Sequence, residues 1–225
     1  MGAQADHTAT LKRPVEEEFD DHLGLQDVDF VEHYVGNAKQ ASHFYQTIFG
    51  FELKAYSGLE TGNRDRVSYL LQQGNIRFLV TSSLNSNSPI AAHIAKHGDG
   101  IHDIAMHVED VDRAYKETVK RGAEGVEEPH NLEDKHGIIR KAAIATYGDT
   151  IHTLINRSNY DGIFMPGFEP AESPIKKIEP VGVQYVDHCV GNVEKGKMND
   201  WVDFYRDVLG FTQYIHFDDK DISTE

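Results

Sequence analysis

The feature that most constrains the fold is a ten-residue phrase that occurs twice in this chain of 225 residues. Residues 28–37 read VDFVEHYVGN, and residues 183–192 read VQYVDHCVGN. Each copy continues into an aromatic pair and then into Gly-Phe: Phe44-Tyr45 with Gly50-Phe51, and Phe204-Tyr205 with Gly210-Phe211. A repeat on this scale indicates that one supersecondary unit, here a strand, a helix and a strand, has been used more than once.

The spacing of apolar residues predicts two complete units of the order β-α-β-β-β. The first consists of a strand at 27–36, a helix that ends at Gly50, and strands at 51–57, 66–73 and 76–82. A short helix at 89–97 leads to the second, which has a strand at 101–108, a helix from Asp110 to Gly122, and strands near 124–128, 138–146 and 150–156. The predicted fold class is therefore α+β, with paired units that form half-open mixed sheets.

Composition divides the chain into four segments. Residues 1–25 are polar and acidic, and we expect them to be a mobile tail. Residues 26–158 hold the two complete units, and the proline- and glycine-rich residues 159–181 are predicted to be a linker. Residues 182–225 are expected to be the truncated start of a second domain, because a strand at 183–190, a helix at 198–209 and a strand at 211–217 make an incomplete third unit.

The formal net charge of −15 argues against nucleic acid or an anionic membrane as the main partner, since both require clustered Lys and Arg. No apolar run approaches the roughly 18 residues of a membrane span, and the N-terminus lacks a signal pattern. The single cysteine, Cys189, excludes an internal disulfide framework and is interpreted as a small core residue. We therefore expect a cytoplasmic protein.

Several longer segments carry a more specific resemblance. They are GNAKQA at 36–41, ELKAYSG at 52–58, AIATYG at 143–148, YDGIFMPGF at 160–168 and DHCVGNVE at 187–194. Together with the repeated β-α-β-β-β units, these segments resemble the 4-hydroxyphenylpyruvate dioxygenase family, of bacterial type, within the vicinal-oxygen-chelate (glyoxalase and extradiol dioxygenase) superfamily. The resemblance extends over about residues 25–225 and implies a metal-free N-terminal domain followed by a catalytic domain that holds Fe(II).

The resemblance implies a role for two residues of the second phrase. His188 would be the first iron ligand, and Val190 would line the substrate pocket beside it. Non-haem Fe(II) oxygenases bind iron through two His and one carboxylate, which leaves positions open for substrate and O₂. The family's other two ligands would lie beyond Glu225, so we expect the chain by itself neither to retain iron nor to turn over substrate.

His33 occupies the position of His188 in the first copy of the phrase. The related strands of the second unit would bring Asp103 and Thr153 beside it, with His107 or His152 as other sources of nitrogen. Because a hydroxyl has replaced the carboxylate, we expect His33 and Asp103 to be hydrogen-bonded remnants of a duplicated site and not a second metal centre.

The implied activity is the conversion of 4-hydroxyphenylpyruvate, a small 2-oxo acid, and O₂ into homogentisate and CO₂ in tyrosine catabolism. One alternative is 4-hydroxymandelate synthase, which would share the substrate, the iron and the fold. Another, from a different class, is a non-catalytic binding or resistance protein built from the two complete units. The resemblance further implies a homo-oligomer, either a dimer or a tetramer.

Overall fold

The computed structural model describes residues 21–176 and 178–215. Most of the expected mobile tail lies outside the described residues. Its last part is structured, because Leu23 is buried and the first strand begins at Leu25.

The described residues form nine strands and four α-helices, which follow the predicted order except for the two-residue β9 in the expected linker. The strands are β1 (Leu25–Tyr34), β2 (Glu52–Ser57), β3 (Arg66–Gln73), β4 (Ile76–Ser83), β5 (Gly100–Val108), β6 (Gly125–Asp134), β7 (Gly137–Ala145), β8 (Ile151–Tyr160) and the two-residue β9 (Glu169–Pro170). The helices are α1 (Ala38–Phe49), α2 (Pro89–His97), α3 (Val111–Lys120) and α4 (Met198–Asp207). None of the helices found in residues 21–176 and 178–215 has the length and apolar character that a membrane crossing requires.

All nine strands belong to one mixed sheet with the order β6-β7-β8-β5-β1-β4-β3-β2-β9. Within each unit the first and fourth strands pair in parallel, β1 with β4 and β5 with β8, and the remaining pairs are antiparallel. The two units meet where β1 and β5 pair antiparallel. The sheet curls into a half-barrel, which confirms the predicted fold class.

Two of the predicted helix ends, Gly50 and Asp110, are confirmed, and Asn37 provides a further cap. The side chain of Asn37, at the end of the first phrase, accepts a hydrogen bond of 3.0 Å from the backbone N–H of Gln40 and caps α1. Gly50 ends the helix in the left-handed conformation with φ of 70°. Asp110 caps α3 in the same way by accepting from the N–H of Arg113 at 3.0 Å. The turns that follow β1 and β5 are therefore helix caps and not phosphate-binding loops.

The two faces of the sheet have different surroundings. One face, which we call the helix face, packs against α1 through residues such as Val35, Leu71 and Val80, and against α3 and α4 through Met106 and Leu154. The opposite face, which we call the cavity face, is the inner face of the half-barrel. It carries a buried apolar cluster that consists of Phe30, Ala55, Leu70, Leu79, Ala105, Ile139, Ile155, Tyr160 and Phe164.

The third unit differs from the prediction. Its helix forms as α4, but residues 181–197 contain no strand, and none is present in the described part of the expected strand at 211–217. A strand requires a partner that continues the ladder of backbone hydrogen bonds. Here the backbone of residues 182–184 bonds instead to the side chain of Gln73 and to the turn between β3 and β4. The buried Val208 and Leu209, at the end of α4, join the core of the second unit.

Candidate functional site

A polar cavity of about 280 Å³ opens on the cavity face where β1 meets β5. Charged groups of both signs line it, with apolar side chains at its margin. Its principal polar residues are Glu32, Tyr34, Arg66, Asp103, Glu127, Lys141 and Thr153. This is the place where the two units of the half-barrel converge.

Two buried carboxylates lie opposite each other in this cavity, because Glu32 of β1 and Asp103 of β5 are direct partners in the strand register. Glu32 accepts a hydrogen bond of 2.6 Å from the hydroxyl of Thr81. Asp103 accepts two, from the Oγ1 of Thr153 at 2.6 Å and from its backbone N–H at 2.9 Å. The predicted pairing of Asp103 with Thr153 is thus confirmed.

Burial in this cavity makes both carboxylates weaker acids. Loss of contact with water raises the pKa of Asp103 to about 7, against the opposing effect of its two bonds to Thr153. The same cause raises the pKa of Glu32, and its hydrogen bond to Thr81 only partly counteracts it. Asp103 therefore holds its proton at a pH where exposed carboxylates are ionised, and the pKa of Glu32 is shifted in the same direction.

His33 does not join this site, so the expectation that His33 and Asp103 are hydrogen-bonded remnants of one duplicated site is wrong for His33. A register shift separates Glu32 from His33 where β1 pairs with β5, and His33 lies on the helix face. Its ring centroid is 5.0 Å from that of Phe78, and burial lowers the pKa of His33 to about 4. Strand alternation could have identified Glu32 as the β1 residue of this cavity, because it places Glu32 on the same face as Phe30 and Tyr34.

The two other histidines considered as nitrogen donors also lie elsewhere. His152 is buried on the helix face, where Nδ1 lies 3.0 Å from the carbonyl oxygen of Ile104 and Nε2 lies 2.8 Å from the hydroxyl of Tyr205. His107 contacts Asp27 at 3.4 Å. Neither imidazole is therefore positioned to complete a metal site with Asp103.

His188 lies in the irregular segment that precedes α4, with 72% of its side chain exposed. It lines a second cavity of about 570 Å³ between this segment and the second unit, together with Met106, Trp201 and Tyr205. Val190 is 80% exposed and lines a smaller neighbouring cavity. Cys189 is exposed, so its interpretation as a core residue is wrong.

The contacts of His188 suit a metal ligand. The carboxylate of Asp187 lies 2.7 Å from its Nδ1, which leaves Nε2 for coordination. A carboxylate in this position holds the ring orientation of a metal-bound histidine and raises its basicity. In residues 21–176 and 178–215, however, no group of three or more His, Cys, Asp or Glu side chains could hold a metal ion. The Nε2 of His188 is therefore available to a ligand, but the described residues bring no metal-binding group together around it.

Tyr205 connects α4 to the second unit through its hydroxyl, which also lies 3.2 Å from the Oγ1 of Thr146. We expect Tyr205→Phe to weaken the docking of α4 by about 1–2 kcal/mol, because the buried His152 loses a hydrogen-bond partner. Hydrogen exchange of the α4 amides measures the change. Tyr185→Phe, at an exposed tyrosine, is the control, and equal effects of the two variants would contradict the prediction.

Comparison with known proteins gives consistent results. The sequence model of a family described as hydroxyphenylpyruvate dioxygenase, HPPD, N-terminal, matches residues 19–168. A 4-hydroxyphenylpyruvate dioxygenase of Dictyostelium discoideum is 45% identical over 206 residues, which are 89% of this chain and 56% of that protein. One of Yarrowia lipolytica is 43% identical over 205 residues, 88% of this chain and 52% of that protein. The chain thus spans about half the length of these curated relatives.

Solved structures share the fold. A triple mutant of 4-hydroxymandelate synthase from Streptomyces coelicolor superposes with a TM-score of 0.70 at 27% identity, covering 86% of this chain and 55% of that one. A methylmalonyl-CoA epimerase variant from the same organism has a TM-score of 0.50 at 16% identity and covers 61% of this chain and 99% of that one. The second likeness shows the fold alone. With the family match over residues 19–168, it follows that this chain belongs to the hydroxyphenylpyruvate dioxygenase family, whose N-terminal domain it contains.

Proposed function

We propose that this chain is the N-terminal part of an Fe(II)-dependent 4-hydroxyphenylpyruvate dioxygenase, which converts its substrate and O₂ into homogentisate and CO₂. The observation that carries the proposal is the identity of 40–45% to proteins of that name over about nine-tenths of the chain. By the same proposal, residues 26–158 are the metal-free domain, residues 159–181 the linker and residues 182–225 the start of the catalytic domain.

Within this proposal His188 is the first iron ligand. Asp187 supports the role, because its carboxylate engages Nδ1 and directs Nε2 outward. When bound, Fe(II) would supply a Lewis-acidic centre at which a 2-oxo acid and O₂ come together. The chain's own contribution is to present the imidazole of His188, and Val190 would form part of the wall beside it. The role of Val190, the oligomeric state, the bacterial type and the cytoplasmic location stay predictions.

The related enzyme 4-hydroxymandelate synthase is the second candidate. It is supported by the structural likeness at 27% identity, which is weaker evidence than the 40–45% identity to the dioxygenases. The choice between the two depends on which carbon of the substrate is oxidised, so product analysis separates them. A non-catalytic binding protein would give neither product.

The test uses the complete reading frame that contains this chain. We expect the purified protein, loaded with Fe(II) and supplied with 4-hydroxyphenylpyruvate and O₂, to form homogentisate. His188→Ala should reduce bound iron and turnover by at least about 100-fold, because one of three protein ligands is lost. His43→Ala, at an exposed histidine of α1, should leave both unchanged. Formation of hydroxymandelate, or full iron occupancy in His188→Ala, would contradict the proposal.

A further inference from the structure

We propose that the N-terminal domain positions the iron-ligand segment, with Gln73 and Tyr147 as positioning residues on either side of His188. The inference rests on the proposed function only in giving His188 its role as a ligand. The anchoring contacts themselves are contacts of this chain and are testable without iron.

The first anchor is the side-chain amide of Gln73, at the end of β3. It is buried, with 7% of the residue exposed, and makes three hydrogen bonds. Its Nε2 donates to the carbonyl oxygen of Phe49 at 2.6 Å, and its Oε1 accepts from the N–H groups of Gly182 at 3.0 Å and Val183 at 3.2 Å. One side chain thus ties the end of α1, the end of β3 and the start of the second phrase together.

The turn between β3 and β4 reinforces this anchor. The backbone N–H of Asn75 donates to the carbonyl oxygen of Gln184 at 2.8 Å. Val183 and Val186 pack against the apolar cluster between α1 and the sheet. The chain from 182 to 186 is therefore held by backbone bonds and by burial, although it forms no strand.

The second anchor is the ring of Tyr147, in the turn before β8. A Cβ atom built on Gly191 would lie 1.8 Å from the hydroxyl oxygen of Tyr147, so the ring occupies the space of a side chain at position 191. The Tyr147 ring also meets the ring of Trp201 edge-on, with centroids 5.4 Å apart. The backbone after His188 and the helix that follows are thus seated on the same aromatic residue.

His188 lies between these two anchors, five residues after Val183 and three before Gly191. Each end of the segment is held by contacts with the N-terminal domain, whereas the His188 side chain itself is largely exposed. Such an arrangement fixes where the ligand is presented and leaves the imidazole accessible. Because a metal ion binds more tightly to ligands that are already held in position, the metal-free domain acts as a template for the first iron ligand.

The test begins with exchange of individual amides, measured by NMR on the 225-residue chain. Gln73→Met removes the donor and the acceptor and retains the length of the side chain. We expect the amides of Gly182 and Val183 to exchange at least about tenfold faster in this variant. Gln73→Glu keeps an acceptor for both amides and should restore most of their protection. Gln40→Met, at an exposed glutamine of α1, is the control.

The second anchor has its own signal, because Trp201 is the only tryptophan of the chain. Tyr147→Ala should shift the fluorescence emission of Trp201 to longer wavelength and increase its quenching by acrylamide. In the complete protein, Gln73→Met should weaken Fe(II) binding by about tenfold, and Gln73→Glu by less.

Unchanged amide exchange at Gly182 and Val183 in Gln73→Met would overturn the inference. Equally faster amide exchange throughout β3 and β4 would also overturn it, because Gln73 would then only stabilise the hairpin that these strands form. An unaltered Trp201 signal in Tyr147→Ala would overturn the second anchor. Failure of the proposed function can be told apart from failure of the anchoring. In the first case His188→Ala would retain iron in the complete protein, while the amide exchange results remained as expected.

Discussion

Replacing Asp29 by alanine is expected to lower the free energy of unfolding by about 3–5 kcal/mol, because it leaves a partly buried guanidinium without its counter-ion. The Asp29 side chain is 3% exposed and that of Arg157 17%. Arg157 binds both carboxylate oxygens, with Nη2 to Oδ1 at 2.6 Å and Nε to Oδ2 at 2.8 Å. Arg77 approaches the same carboxylate at 3.3 Å. The pair links β1 of the first unit to β8 of the second.

Urea unfolding monitored by circular dichroism measures this change. An unchanged slope of the unfolding free energy against urea concentration would show that the variant still folds to the same compact state. Asp27→Ala is the matched control on the same strand. The Asp27 side chain is 69% exposed and contacts only a partly exposed His107 among its charged neighbours, so we expect less than about 1 kcal/mol. A similarly small loss for Asp29→Ala would mean that water replaces the carboxylate and that the pair contributes little.

Asp103→Asn is expected to stabilise the protein above neutral pH. Burial raises the pKa of Asp103 from 3.8 to about 7, so the folded state binds its proton more tightly than the unfolded chain. The stability that this proton provides is complete below about pH 4 and is lost as the pH rises through about 7. Asparagine does not ionise, so the variant does not lose this stability as the pH rises. It also keeps both hydrogen bonds to Thr153, since its side-chain oxygen accepts from the backbone N–H and its NH₂ group donates to the hydroxyl.

The difference in unfolding free energy between Asp103→Asn and the parent chain should therefore be near zero at pH 4 and reach on the order of 4 kcal/mol at pH 8. Comparing the two proteins at each pH cancels the titration of the buried histidines. Glu32 shares the cavity, so the transition belongs to both carboxylates. Asp161→Asn, at an exposed position, should give a flat difference. A flat difference for Asp103→Asn would show that Asp103 is ionised in the folded protein.

Much of the fold was predictable from sequence because local chemistry and tertiary structure agree. The repeated phrase indicated the unit, and Gly50 and Asp110 marked helix ends that the structure confirms. The strand expected at 183–190 did not form, because apolar alternation records which side chains become buried and not which backbone pairs with them. Val183 and Val186 of this segment are partly buried, as the alternation indicated. The segment's backbone, however, bonds to the side chain of Gln73 and to a turn, and not to a neighbouring strand.

The candidate site was only partly predictable. Asp103 and Thr153 were placed together correctly, because the repeat aligns equivalent strands. His33 was assigned by matching it to His188 in the repeated phrase, and that comparison does not consider which face of β1 each side chain occupies. Side-chain direction in a strand reverses with each residue, so His33 lies on the opposite face from Glu32, the register partner of Asp103. Strand alternation alone would have selected Glu32, and not His33, as the β1 residue beside Asp103.

The two edges of the nine-stranded sheet have a consequence for behaviour at high concentration. Exposed strand edges are templates on which another chain can pair and aggregate. At one edge, β2 is covered in part by β9. At the other, β6 carries Glu127, Glu128, Glu133 and Asp134, and its pairing with β7 shifts register twice, before Glu127 and again across Pro129. Proline offers no N–H, and the irregularity and the negative charges oppose a flat approach. Addition of strands from a second copy at β6 is therefore disfavoured, so colloidal solubility of this domain should fall if Pro129 and its acidic neighbours are replaced by β-branched residues.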